Sequence, residues 1–121
     1  MAFNIYSTDD GHVHPWEYFE APGLVPKTGM ALNLNGGKLE LATGTAAPQF
    51  ICMRTQETAV AEGEVIPVIR VSHDAVYEVT ATGTLAIGDK VSIAADGLSV
   101  AAGEGAGVVV GVVEDRVRVR F

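Results

Sequence analysis

Three histidines, one cysteine and fifteen carboxylates carry what reactive chemistry this chain has. His12-Val13-His14 puts two imidazoles on the same side of an extended segment, a spacing that suits two ligands of one metal ion. Asp9, Asp10 and His73 are the further donors such a site would recruit. Two ligands do not make a site, and the segment is rich in proline and aromatics, so the plainer reading is exposed or packing histidines. Ser72-His73-Asp74 spells the letters of a hydrolase triad. A triad needs converging side chains, whereas neighbours on a strand point to opposite faces, so His73 faces away from both. The trio therefore reads as a polar strand end or turn.

Gly103-Glu104-Gly105-Ala106-Gly107 shares only its glycines with a phosphate-binding loop. It lacks the Lys and Ser/Thr, no helix follows, and its carboxylate would repel phosphate. It reads as a flexible connection. Cys52 lies between Ile51 and Met53 with no lysine or histidine near it in sequence to lower its pKa, as a buried, inert thiol would. Paired-carboxylate and cofactor signatures do not stand out. The expectation is a protein that is not an enzyme, with no catalytic residues, no metal and no cofactor.

The elements that would position these groups are strands. Valine, alanine, glycine and threonine supply nearly half of the chain, and valine and threonine suit a pleated surface. The clearest hairpin is Met30–Asn35, then Gly36-Gly37, then Lys38–Leu41, because Asn-Gly-Gly supplies the positive φ of a tight turn. Further strands are expected at Phe50–Arg54, Val65–Val71, Ala75–Thr80, Lys90–Ala94 and Leu98–Val100. Val108–Val113 is apolar on both faces, as a buried central strand would be. Arg116–Phe121 alternates, with Val117, Val119 and Phe121 inward and Arg116, Arg118 and Arg120 on a wet face. The fold class is mainly β: a small β-barrel or sandwich of about eight short strands.

Residues 1–29 stand apart. They hold five of the eight aromatics and three of the five prolines, and they keep neither a strand nor a helix period. The expected organisation is an extended N-terminal arm over 1–29 and a β domain over 30–121. Trp16, Tyr18 and Phe19 are the expected partner-binding residues, of types enriched at interface hot spots. The competing reading is that the arm folds back and its rings cap the domain's own core. On the first reading, residues 1–20 can be removed without changing the melting temperature.

The whole chain sets limits on partners. Its 121 residues suffice for one domain with a sizeable core, and a single cysteine forms no internal disulfide. A net charge of −7 argues against a nucleic-acid partner, since phosphate neutralisation needs clustered Lys and Arg. The longest apolar run, Gly107–Val113, is too short to span a bilayer, so no membrane partner is expected. The start MAFNIYSTDD has neither the basic nor the apolar segment of a secretory signal.

Several segments are similar to those of a known group. Gly29-Met30-Ala31-Leu32, Pro48–Met53 and Val65–Val71 resemble small proteins encoded in the head-gene regions of tailed bacteriophages and prophages. The Leu85–Val91 strand with its Gly-Asp-x-Val, the Asp96-Gly97-Leu98 turn, Gly107–Gly111 and Val117–Phe121 resemble the capsid cement, or head decoration, proteins. The resemblance implies a structural virion protein, made in the host cytoplasm, that sits on the outer capsid surface. There it would bind the major capsid protein lattice, as a possible homotrimer, with no small-molecule substrate. Alternatives are another phage structural module (head fibre base or tail component), a small-ligand or carbohydrate-binding β module, or a hydrolase or metalloenzyme using His12, His14 and His73.

Overall fold

Asn35-Gly36-Gly37-Lys38 closes a two-residue hairpin turn. Gly36 and Gly37 sit at φ of 62° and 81°, which L side chains rarely adopt, and Asn35 pairs directly with Lys38. The computed structural model describes residues 2–8 and 14–121. They form eleven strands. The first six are β1 (Asn4–Thr8), β2 (Trp16–Glu20), β3 (Ala31–Asn35), β4 (Lys38–Leu41), β5 (Phe50–Cys52) and β6 (Val65–Arg70). The remaining five are β7 (Ala75–Thr82), β8 (Lys90–Ile93), β9 (Ser99–Ala102), β10 (Gly107–Val113) and β11 (Arg116–Arg120). The fold is all-β, as expected.

Strands β2-β4-β3-β5-β6 close a five-stranded barrel. Period-two alternation sorts its residues: Leu32, Phe50, Cys52, Ile66 and Val68 turn inward and are buried together. The other six strands run β1-β7-β11-β10-β8-β9, and β9 returns to pair in parallel with β7 at Thr80↔Ser99. Five of these strands therefore form a second ring, with β1 laid beside the first half of β7. Tyr77, Val79, Val91, Val100, Val109, Val117 and Val119 fill it. Ala31, Ile51 and Ile69 project from the outer face of the barrel into this same cluster, where they meet Phe3. One side of the barrel is thus sealed against the second sheet. Phe121 packs as expected, with its ring 5.6 Å from Tyr77 and 5.7 Å from Phe3.

The N-terminal 29 residues differ from the expected arm. Asn4–Thr8 is strand β1, hydrogen-bonded to β7, and Trp16–Glu20 is strand β2, paired at five positions with β6. Phe3 is buried at 3% exposure. The period is invisible in sequence for two reasons. A bulge between Ile5 and Ser7 breaks it in β1. In β2 the aromatics Trp16 and Tyr18 face solvent, while the inward-leaning residues are Glu17 and Phe19. Hydrophobicity therefore does not alternate, although the strand does.

Val108–Val113 also departs from its expectation. Strand β10 is central, between β11 and β8, yet Val108, Val110 and Val112 are 41–45% exposed. Only the inner face of the second sheet has a layer packed on it. The outer face carries instead an ionic ladder in which Glu78 bridges Arg116 Nη1 at 2.8 Å and Arg118 Nε at 3.2 Å. Arg118 lies over the Tyr6 ring at 3.8 Å, and Arg120 Nη1 donates to the His73 carbonyl at 2.9 Å. The arginine stripe is engaged within the chain.

Candidate interaction face

Trp16 and Tyr18 are 51% and 57% exposed, and both are held by a strand rather than a loose arm. Phe19 goes the other way, with its ring 5.2 Å from Phe50 and packed on the barrel core. Of the three expected partner-binding residues, two are presented to solvent and the third braces the strand that presents them. The β2–β6 register sets Trp16 opposite Ile69 and Tyr18 opposite Pro67. On the next strand Ile51 stands opposite Ile69, and the Met53 amide donates to the Pro67 carbonyl at 2.9 Å. Paired residues share a face. On the outer barrel face the exposed Trp16 and Tyr18 adjoin the half-buried Pro67 and Met53, while Ile69 and Ile51 between them are buried against the second sheet.

Where this face meets β1 a cleft of about 260 Å³ opens, walled by Phe3, Ile5, Gly29, Ile51, Met53 and Ile69. Nothing local in the sequence marks it, because β1 and β5 are brought together through Gly29, whose carbonyl accepts from the Phe3 amide and whose amide donates to the Cys52 carbonyl. Its one sequence signal is the Trp16-x-Tyr18 alternation on the adjoining strand.

A second cleft, of about 340 Å³, is polar and holds His14, Glu17, Arg70, Ser72 and Asp74. Glu17 takes Arg70 in a two-pronged ion pair at 2.9 and 3.1 Å. Ser72 Oγ donates to Asp74, and His14 Nε2 lies 3.7 Å beyond on the same carboxylate. His14 Nδ1 sits 3.2 Å from the Arg70 carbonyl. A serine nucleophile needs a base of imidazole strength beside it, with the carboxylate behind. Here that order is inverted. His73 is elsewhere, its Nδ1 donating to the Phe121 carbonyl at 2.6 Å. These five residues form a clasp between the entry to β2 and the turn before β7, not a triad.

His12, Asp9 and Asp10 lie outside the described residues. Among the described residues no three His, Cys, Asp or Glu come together as a metal site. The 103–106 stretch is a plain connection from β9 to β10, pinned by Ser92 Oγ donating to the Glu104 carbonyl at 3.0 Å. No helix of the described residues is long and apolar enough to cross a membrane.

Cys52 and Tyr77 are both fully buried. Burial pushes the Cys52 thiol above its ordinary 9.0, with Arg54 opposing in part. Burial likewise pushes the Tyr77 phenol above its ordinary 10.0, although the Ser72 amide donates to its oxygen. Both groups stay protonated in the fold at pH values where the unfolded chain has released them. Their contribution is whole below about pH 9 and falls as pH rises further. Denaturant midpoints between pH 7 and 11 should hold level and then decline from near pH 9. In Cys52→Ala the decline should begin nearer pH 10. An identical onset in both proteins would show that Cys52 does not titrate in this way.

No family model matches this chain, and neither a curated protein nor a solved structure matches it.

Proposed function

We propose that the protein is a structural virion component that decorates a bacteriophage capsid. It binds the major capsid protein lattice from outside through the Trp16–Tyr18 face and stabilises the shell. The observation that carries this reading is the pair of half-exposed aromatics, Trp16 and Tyr18, held on a braced strand beside the half-buried Pro67 and Met53. Such rigid rings contribute large contact area at small entropic cost and are over-represented at interface hot spots. The motifs of the second half that resemble head decoration proteins add to it, and so does an all-β body with an acidic surface. The role calls for no cofactor, metal or small-molecule substrate, and several copies, as in a homotrimer, bind by avidity.

Co-sedimentation with capsids purified from cells that carry the gene tests the face. Trp16→Ala/Tyr18→Ala should weaken binding about 100-fold, from roughly 1.4 kcal/mol or more per ring, with an unchanged circular dichroism spectrum. Sedimentation equal to the unsubstituted protein would remove the face from the interface.

One observation favours a second reading, a small-ligand or carbohydrate-binding β module. The exposed rings sit on the β body beside a concavity, where a glycan ring could stack. Binding of soluble oligosaccharides, lost in the same double variant, together with bare capsids in the assay above, is the result that selects it.

A further inference from the structure

The cleft beside the Trp16–Tyr18 face is the feature that the proposed role leaves unused. We propose that it receives one large apolar side chain from an extended segment of the capsid protein, added along the free edge of β1. This rests on the reading of that face as the capsid-binding surface.

Size selects the occupant. A cavity of about 150 Å³ takes a benzene ring, whereas pockets for drug-sized ligands begin at about 300 Å³. At about 260 Å³ the cleft exceeds what one benzene ring needs and falls short of a drug-sized pocket, which suits a single large apolar side chain. Its walls set the chemistry, since Phe3, Ile5, Ile51, Met53 and Ile69 offer no charge. Thr28 at the rim already donates its hydroxyl to the Arg54 carbonyl at 2.8 Å. The anchor is therefore an apolar side chain.

Backbone geometry selects the conformation. Among the described residues β1 is the end strand of its sheet, paired with β7 along one edge, with the Phe3 amide just before it bonded to the Gly29 carbonyl, and Phe3, Asn4 and Ile5 line the cleft. A strand edge binds an extended chain by main-chain hydrogen bonds, and alternate side chains fill the pockets alongside. A second copy of β1 is the poorer partner: the strand is five residues long and bulged at its centre, which spoils a matched pair of edges. The net charge of −7 favours a segment flanked by Lys or Arg, through steering rather than through contact with the anchor. From the cleft the segment continues onto Trp16, which is set directly opposite Ile69.

Asn4 stands exposed at the cleft mouth and outside the core, which makes it the position to block. The test is co-sedimentation with purified capsids of four proteins: the natural chain, Asn4→Ala, Asn4→Trp and Trp16→Ala/Tyr18→Ala. Melting temperatures are measured in parallel. Asn4→Trp should weaken binding at least tenfold at an unchanged melting temperature, while Asn4→Ala stays within twofold. Amide exchange across Asn4–Thr8 should slow on the capsid. If Asn4→Trp binds like the natural chain while the double variant does not, the face stands and the cleft proposal is overturned. If the natural chain itself leaves capsids bare, the capsid reading fails and takes this proposal with it.

Discussion

A chain lacking residues 1–20 is expected to be insoluble or unfolded. The deletion removes β1, the buried Phe3 and every β2–β6 pair, which opens the barrel along one side. It also strips Phe19 from Phe50 and uncovers the edges of β6 and β7. Truncating one buried phenylalanine costs about 3–5 kcal/mol, and whole domains are stable by about 5–15 kcal/mol. Two lost phenylalanines and two lost strands exceed that margin. This reverses the expectation drawn from sequence, in which 1–29 is a detachable arm. Soluble yield and far-ultraviolet circular dichroism of the 21–121 fragment decide it. A soluble fragment with the full β spectrum would mean that β1 and β2 are accessories after all.

Among the described glycines, Gly29→Ala should be the most damaging added methyl. Gly29 lies at φ +85°, and a Cβ there would stand 2.5 Å from the Phe3 carbonyl oxygen and 2.8 Å from the Ala2 Cβ. Neither neighbour can retreat cheaply. The Phe3 amide donates to the Gly29 carbonyl at 3.0 Å, and the Gly29 amide donates to the Cys52 carbonyl at 2.7 Å. Left-handed strain alone costs about 1–3 kcal/mol, and forced displacement of packed backbone costs about as much again. A fall in melting temperature of roughly 10 °C or more follows for a chain of this length. Gly36→Ala is the control: its φ is +62° with nothing within 4 Å, so only the conformational cost of about 1 kcal/mol applies. Equal losses at the two positions would show that the Phe3–Gly29 approach is not tight. The same contact ties the first residues to the barrel, which is why the N-terminus cannot behave as a free arm.

What could be read from the sequence was local. The hairpin of β3 and β4 was legible because Gly36-Gly37 dictates its turn. Strands β5 to β11 were legible within about two residues, because Val- and Ile-rich runs are cut by glycine. The inward set Val117, Val119 and Phe121 followed from plain alternation. What could not be read depended on partners distant in sequence. β2 hides its period because Glu17 is neutralised by Arg70, fifty-three residues away. β10 reads as buried by composition, but burial of its second face requires a layer that the described residues do not supply. Trp16 and Tyr18 stand out in the sequence by residue type alone. Separating them from Phe19 needed the register with β6, and the cleft beside them needed both the barrel and β1 in place.

On the proposed reading, this β body docks on an assembled shell through the Trp16–Tyr18 face. Electron cryomicroscopy of capsids incubated with saturating protein tests it most directly. Ordered extra density is expected on the outer surface at fixed lattice positions, with β2 and the β1 edge turned toward the shell. Capsids that stay bare, or carry density with Trp16 and Tyr18 facing solvent, would contradict it.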